Sequence, residues 1–233
     1  MSITIHQPEH LIWLGLVDKI KKTDTFVVLD NVQFRKNYFQ NRNKIRTVNG
    51  WGWLTVPVKK HSLHTPIKDI EISYDLEWTE RYFGVLKMAY GKTKFYDEYF
   101  PIIREIIEKK HVRLSDLNLE LINFILSAFG VDDKKIIKAS TLELPDVDAG
   151  NNGEKIVLEI CKQLKTDVYI SGPLGKEYTN LKEFKDNHIS LVVHEFHHPI
   201  YRQYFEPFIP GMSAIDILFN YGPEAKNILW NIK

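Results

Sequence analysis

The opening thirty residues, MSITIHQPEHLIWLGLVDKIKKTDTFVVLD, constrain the fold more tightly than any other stretch of the chain. SITIH, residues 2–6, reads as a short strand. LIWLGLVDKIKK, residues 11–22, sets Leu11, Leu14, Val17 and Ile20 at the spacing of one buried helix face, and Thr23 and Asp24 close it. TFVVLD, residues 25–30, is an unbroken apolar run of the kind that fills a strand buried on both faces. Strand, helix and strand within about 30 residues make a βαβ unit, which requires two parallel strands in one sheet.

The remainder extends this pattern and interrupts it once. Residues 31–43, NVQFRKNYFQNRN, form a long amide-rich loop. Residues 44–58 alternate about Asn49-Gly50, which predicts an antiparallel hairpin, and a further strand is expected at 67–72. Helical spacing follows at 76–90, stopped by Gly91, and at 96–110, with Pro101 near its start or at a break. A third helix runs from an N-cap at Ser115 to Gly130. Then KKIIKAS, NNGEKIVLEICKQLK (capped by Asn151 or Asn152), DVYISG and ISLVVHEF alternate strand and helix, and a last helix runs from Ser213 to Gly222. The expectation is an α/β fold with a mainly parallel, Rossmann-like sheet in a single domain over 1–233. It carries an antiparallel β-hairpin insert near 44–58 and a helical section near 76–130.

Composition excludes several classes of function. With 31 basic and 30 acidic side chains the net charge is +1, so no global field draws nucleic acid. Cys161 is the single cysteine, and its place in an amphipathic helix reads as core, leaving neither a disulfide framework nor a cysteine zinc site. No apolar run approaches the roughly 20 residues of a membrane span, and no signal peptide opens the chain, so a cytoplasmic location is expected. Aromatic residues reach 12%, and many sit among amides and cations, a mixture suited to stacking on a ring and bonding its edges.

Ligands of open α/β sheets bind beyond the carboxyl ends of the parallel strands. Four segments are expected there, at 6–10, 30–43, 171–180 and 194–204. His6 is either a buried hydrogen-bonded histidine or part of an anion site at a helix N-terminus. In the second segment Lys36, Asn41, Arg42 and Asn43 suit phosphate or carboxylate, with Tyr38 among them and Asp30 and Gln33 as orienting groups. Trp13, Tyr38 and Trp53 are candidates for stacking on a base or sugar. Gly172 and Lys176 form a glycine-containing turn that lacks the Walker pattern. In HEFHHPIYRQY, His194 and His198 share a strand face and His197 does not. No third ligand follows at a metal spacing, so a general base is expected from His6, His194 or His198 and no metal is expected. The Gly-x-Ser-x-Gly element of a serine hydrolase is absent.

IHQPEHLIWLGLVDKIKKTDTFVVLDNVQFRKNYFQNRNKIR, WLTVPV, VYISGPLGKEY, HHPIYRQ and FIPGMSAIDILFNYGPEA together resemble the WbqC-like protein family, in the family's order and across nearly the whole chain. The family typically reads His-Gln-Pro-x-Tyr-Leu-Pro-Trp near its start. Here His10 stands for the tyrosine and Ile12 for the second proline, leaving His6, Gln7, Pro8 and Trp13 as matches. Gln7 and Tyr178 lie in matching blocks and join the substrate-binding candidates. The resemblance implies an enzyme of bacterial surface-polysaccharide (O-antigen, lipopolysaccharide) assembly, acting on a nucleotide-linked amino sugar such as a dTDP-sugar. The expected reaction is acyl or aminoacyl transfer to the sugar amine from an activated donor. Two alternatives stand beside it. One is an ATP-using ligase or nucleotidyltransferase, since adenylate-forming nucleotidyltransferases use a His-x-Gly-His element comparable to, though not matched by, His6-x-x-x-His10. The other is a noncatalytic nucleotide-sugar binder.

Overall fold

The computed structural model describes residues 1–75, 77–144, 153–173, 175 and 181–231. β1 (Ser2–His6) passes through an irregular turn into α1 (Leu14–Lys21) and back to β2 (Thr25–Val28). The hairpin of β3 (Arg42–Thr47) and β4 (Gly50–Thr55) follows, then the helices α2 (Trp78–Tyr90), α3 (Tyr96–Glu108) and α4 (Leu114–Ala128). Alternation resumes with β5 (Lys135–Lys138), α5 (Gly153–Gln163), β6 (Val168–Ser171), α6 (Leu181–Asp186) and β7 (Ser190–Val193), and α7 (Ile215–Tyr221) and α8 (Ala225–Trp230) come last.

Five strands pair in the order β5-β2-β1-β6-β7, all parallel. The chain fills the sheet outward from β1 to β2 and β5, then returns to the other side of β1 for β6 and β7. That reversal is the switch point of a Rossmann-like sheet, and it lies between β1 and β6. Residues in β1 and β2 are buried on both faces, with Ile3, Phe26, Val27 and Val28 at 0% exposure. Hairpin and helices α2–α4 all lie within the β2-to-β5 connection, so the sheet tolerates them as one insertion. α4 ends as the sequence predicts: Gly130 adopts φ +69°, Gly130 N–H donates to Ser127 O and Val131 N–H to Leu126 O. This is the Schellman arrangement, with Val131 and Leu126 buried against each other's turn.

Several boundaries differ from expectation for physical reasons. α1 begins at Leu14 rather than Leu11, because Asn43 Nδ2 donates to both His10 O and Leu11 O, at 2.9 Å each. Those carbonyls are diverted from a helical ladder, and Leu11 sits at φ +44°. The hairpin turn is Val48-Asn49, with Gly50 (φ +115°) already paired to Thr47. No strand forms at 67–72. Ile67 N–H and Lys68 N–H donate to Val32 O and Asp30 O, and Ile67–Asp69 curls into a 3₁₀ turn, leaving single bridges at Glu71 and Ile72. Pro101 lies within α3. Arg113, not Ser115, is the N-cap of α4; Ser115 is buried in its first turn. Gly91 ends α2 in a right-handed conformation, and α7 starts at Ile215, two residues after Ser213. Asn151 and Asn152 lie outside the described residues. Among those described, no helix is long and apolar enough to cross a membrane.

Candidate functional site

The turn after β1, residues 7–13, lies at the switch point, and four separate elements hold it. Gln40 Nε2 donates to Gln7 Oε1 at 2.6 Å. Asn118 of α4 donates to Pro8 O at 2.9 Å and to Gln40 O at 2.7 Å. His10 N–H donates to Phe39 O, Ser213 Oγ–H to Leu11 O, and Ala214 N–H to Ile12 O. His10 itself is at 0% exposure; its Nδ1 meets Asn118 Oδ1 at 3.1 Å and its Nε2 meets Tyr82 Oη at 2.8 Å. Its protons and lone pairs are spent inside the core, and burial pushes its pKa down to about 4 against the pull of Asn118.

The Glu9 side chain of this turn makes no hydrogen bond among the described residues. Glu9 is 7% exposed, its Oε2 is buried without a hydrogen-bond partner, and its Oε1 stands 3.8 Å from His6 Nε2. From α1, Lys19 is 4% exposed and forms no direct ion pair among the described residues. Its ammonium nevertheless acts on three groups, His6, Glu9 and His194. Burial raises Glu9 to about 7 although Lys19 pulls it down, and burial lowers Lys19 to about 8 although Glu9 pulls it up. Burial, then Lys19, holds the His6 imidazole well below its usual range, so it is neutral at physiological pH. His194, just past β7, bonds Asp18 Oδ2 through Nε2 at 2.7 Å, and Asp18 also takes Lys22 at 2.7 Å and Trp230 Nε1 at 3.0 Å. Burial works to raise the Asp18 carboxyl, but Lys22 and His194 outweigh it and keep it low. Burial outweighs Asp18 at His194, whose pKa falls.

Beside the turn stands the hairpin. Direct cross-strand partners share a face, so Lys44 and Trp53, and Arg46 and Trp51, project together. Arg42 lies over the Trp53 ring at 4.0 Å and Lys44 over Trp51 at 4.5 Å. Phe39 packs edge-on to Trp53 at 5.6 Å and Tyr38 to Phe39 at 5.3 Å. Trp51 and Tyr38 remain 43% and 46% exposed. Exposed cation–π pairs each contribute only about 0.5–1 kcal/mol, so this face is a poor stability device and a good surface for rings and anions.

A family model described as the WbqC-like protein family matches residues 7–228. This chain belongs to the WbqC-like protein family. An uncharacterized protein of Mycobacterium tuberculosis is 31% identical over 233 residues, covering 98% of this chain and 97% of that one. No solved structure matches. WbqC-like membership places the chain broadly with bacterial surface-polysaccharide biosynthesis.

Within this WbqC-like fold the expected site residues divide. His6 ends β1, Gln7 opens the switch-point turn, and Trp13 reaches from that turn to Phe196 of the fourth segment at 5.3 Å. His6 and His194 come together in the field of Lys19. His198 packs edge-on at 5.7 Å to Phe196, the ring that also meets Trp13 and His194, and against Tyr201 and Phe208, with Nδ1 on Pro199 O at 2.8 Å and Nε2 buried without a partner. Lys36 is exposed, and Arg42 donates to Asn37 O. Four candidates are occupied in holding the fold. Asp30 accepts from Ser140 N–H at 2.9 Å and Oγ–H at 2.7 Å, tying the end of β2 to that of β5. Gln33 donates to Leu63 O, Asn41 to Val56 O, and Asn43 to the two carbonyls, His10 O and Leu11 O, that precede α1 and delay its start. Gly172 accepts from Gly175 N–H just past β6. Lys176 and Tyr178 lie outside the described residues. Glu9, Lys19 and Asp18 were not expected. The signal for the last two was a charged pair, Asp18-Lys19, in an eight-residue helix that is apolar apart from them and Lys21; Glu9 had none beyond its place between His6 and His10.

Proposed function

We propose that this protein transfers an acyl or aminoacyl group to the amine of a nucleotide-linked amino sugar, a dTDP-sugar in the simplest reading, during bacterial surface-polysaccharide assembly in the cytoplasm. The observation that carries the reading is the hairpin face, where Arg42 over Trp53 and Lys44 over Trp51 adjoin the switch-point turn. Rings take the base and sugar, and the cations take the pyrophosphate. His6 and His194 stand at the strand ends where the sugar amine would meet the activated carboxyl group. Incubation of the full chain with dTDP-amino sugars and acyl or aminoacyl donors, read by mass spectrometry, tests the proposal. A mass gain equal to the donor acyl group supports it, and no gain with any donor overturns it. Trp53→Ala is expected to weaken nucleotide-sugar binding by about fivefold to tenfold, the loss of one stacking contact.

The strand order favours a second reading, an ATP-using ligase or nucleotidyltransferase, because nucleotides bind at such switch points. ATP-dependent pyrophosphate release would move the assignment there. Tight binding with no turnover would leave a noncatalytic nucleotide-sugar binder.

A further inference from the structure

His6 Nδ1 lies 3.0 Å from Gln7 O, and a carbonyl can only accept, so Nδ1 carries the imidazole proton. Nε2 therefore presents a lone pair, and it presents it to Glu9 Oε1 at 3.8 Å. Two acceptors face each other at a separation too long for a bond and short enough for one N–H-bearing nitrogen to reach both at ordinary hydrogen-bond distance. Glu9 Oε2, buried and without a partner, is a third acceptor in the same place. Buried polar atoms are almost always bonded, and Glu9 Oε2 is the buried side-chain atom of this turn left without a partner, so it calls for an explanation. Three convergent acceptors match a protonated primary amine, whose three N–H groups equal them in number.

We propose that His6 and Glu9 form an amine-binding element at the switch point, and that Glu9 takes the proton from that amine as it becomes a nucleophile. The inference rests on the transfer reading above only for what the amine then attacks. In that step the amine nitrogen bonds to the carbonyl carbon of an activated acyl donor, such as a thioester or acyl phosphate. The bound ammonium first gives one proton through Glu9 to water; as the N–C bond forms, the bond to the leaving group breaks with its electron pair, and the second nitrogen proton passes to Glu9, which returns it to the leaving group or to water. Lys19, lowered to about 8, is charged near neutrality and offsets the carboxylate there. The titratable groups bearing on Glu9 are the neutral His6 from the end of β1 and the charged Lys19 from α1. A carboxyl raised by burial to about 7 is matched to proton exchange near neutrality, whereas the neutral imidazole of His6 is too weak a base to hold the proton and serves to position the amine.

The test compares binding of a dTDP-amino sugar with that of the dTDP-sugar bearing a hydroxyl in place of the amine, to the full chain, from pH 5.5 to 8.5. Wild type is expected to prefer the amine at least tenfold, and Glu9→Gln to lose that preference. Lys19 lowers the Glu9 pKa, so Lys19→Met is expected to move the onset of amine preference to higher pH; this second variant decides the matter if Glu9→Gln does not fold. Wild type that does not discriminate, or Glu9→Gln that still prefers the amine, overturns the proposal even if acyl transfer occurs. Discrimination without any transfer upholds the amine site and overturns the transfer reading.

Discussion

Trp13 folds its ring back over the first turn of α1, where a Cβ on Gly15 would come within 2.3 Å of it. Glycine inside a helix costs about 1 kcal/mol relative to alanine when nothing needs the space. Here the space is occupied by the ring, which in turn meets Phe196. Gly15→Ala is therefore expected to destabilise rather than stabilise, by about 1–3 kcal/mol of overpacking, read as a lower urea midpoint. An unchanged or raised midpoint would show that the ring moves freely. Lys19 teaches the opposite lesson at the same scale. A lysine next to an aspartate in a helix ordinarily marks a solvated face, and its 4% exposure became visible only once the loop after β1 and the segment after β7 were placed around it.

At the scale of elements, the switch-point turn is held from outside. Asn118, at 0% exposure on α4, donates to Pro8 O and Gln40 O and accepts from His10 Nδ1–H. One amide thus links the turn after β1, the loop after β2 and the inserted helices. Asn118→Ala strands two buried carbonyls and an imidazole N–H, and a loss of about 2–4 kcal/mol is expected. Hydrogen exchange should rise in residues 7–12 and 39–42 more than in β1 or β2; a uniform rise would mean that Asn118 supports the fold at large and not the turn. The helical insertion therefore positions the site from a distance, although no residue of it was expected to do so.

For the whole molecule, buried apolar side chains form one cluster that runs from Ile3 to Leu229, and we propose that the chain unfolds as a single domain. Its pH dependence follows from neutral buried histidines. His10 has a pKa of about 4 in the fold, below the usual value near 6.5, so the unfolded chain takes up the proton first as pH falls. Stability from this group is complete above about pH 6.5 and is lost progressively toward pH 4, by roughly 3 kcal/mol. His6 acts in the same direction, to a lesser extent because 30% of its side chain stays exposed. Asp18, with a lowered pKa, loses its contribution only at more acid pH. Glu9, raised to about 7, acts in the opposite sense, its contribution growing as pH falls from about 7 to 4.5, so the histidine effect is read in a Glu9→Gln background, where urea midpoints are expected to fall between pH 6.5 and 4.5. His10→Gln should flatten that fall while lowering the midpoint at pH 7, and an unaltered slope would count against a neutral buried His10.

Local pattern was enough for the parallel sheet, the hairpin, the three inserted helices and the Schellman end of α4, because apolar periodicity and turn chemistry act over a few residues. It was enough, too, to bring His6, Gln7, Trp13 and His194 to the strand ends, since a parallel sheet forces its loops onto one edge. The start of α1, the curl at Ile67–Asp69 and the roles of Asp30 and Asn43 were not legible, because side chains distant in sequence claimed the backbone groups involved. The same is true of the charge inside the site. Whether a carboxylate or an ammonium is solvated depends on what packs over it, and only the tertiary structure buried Glu9 and Lys19 together without pairing them.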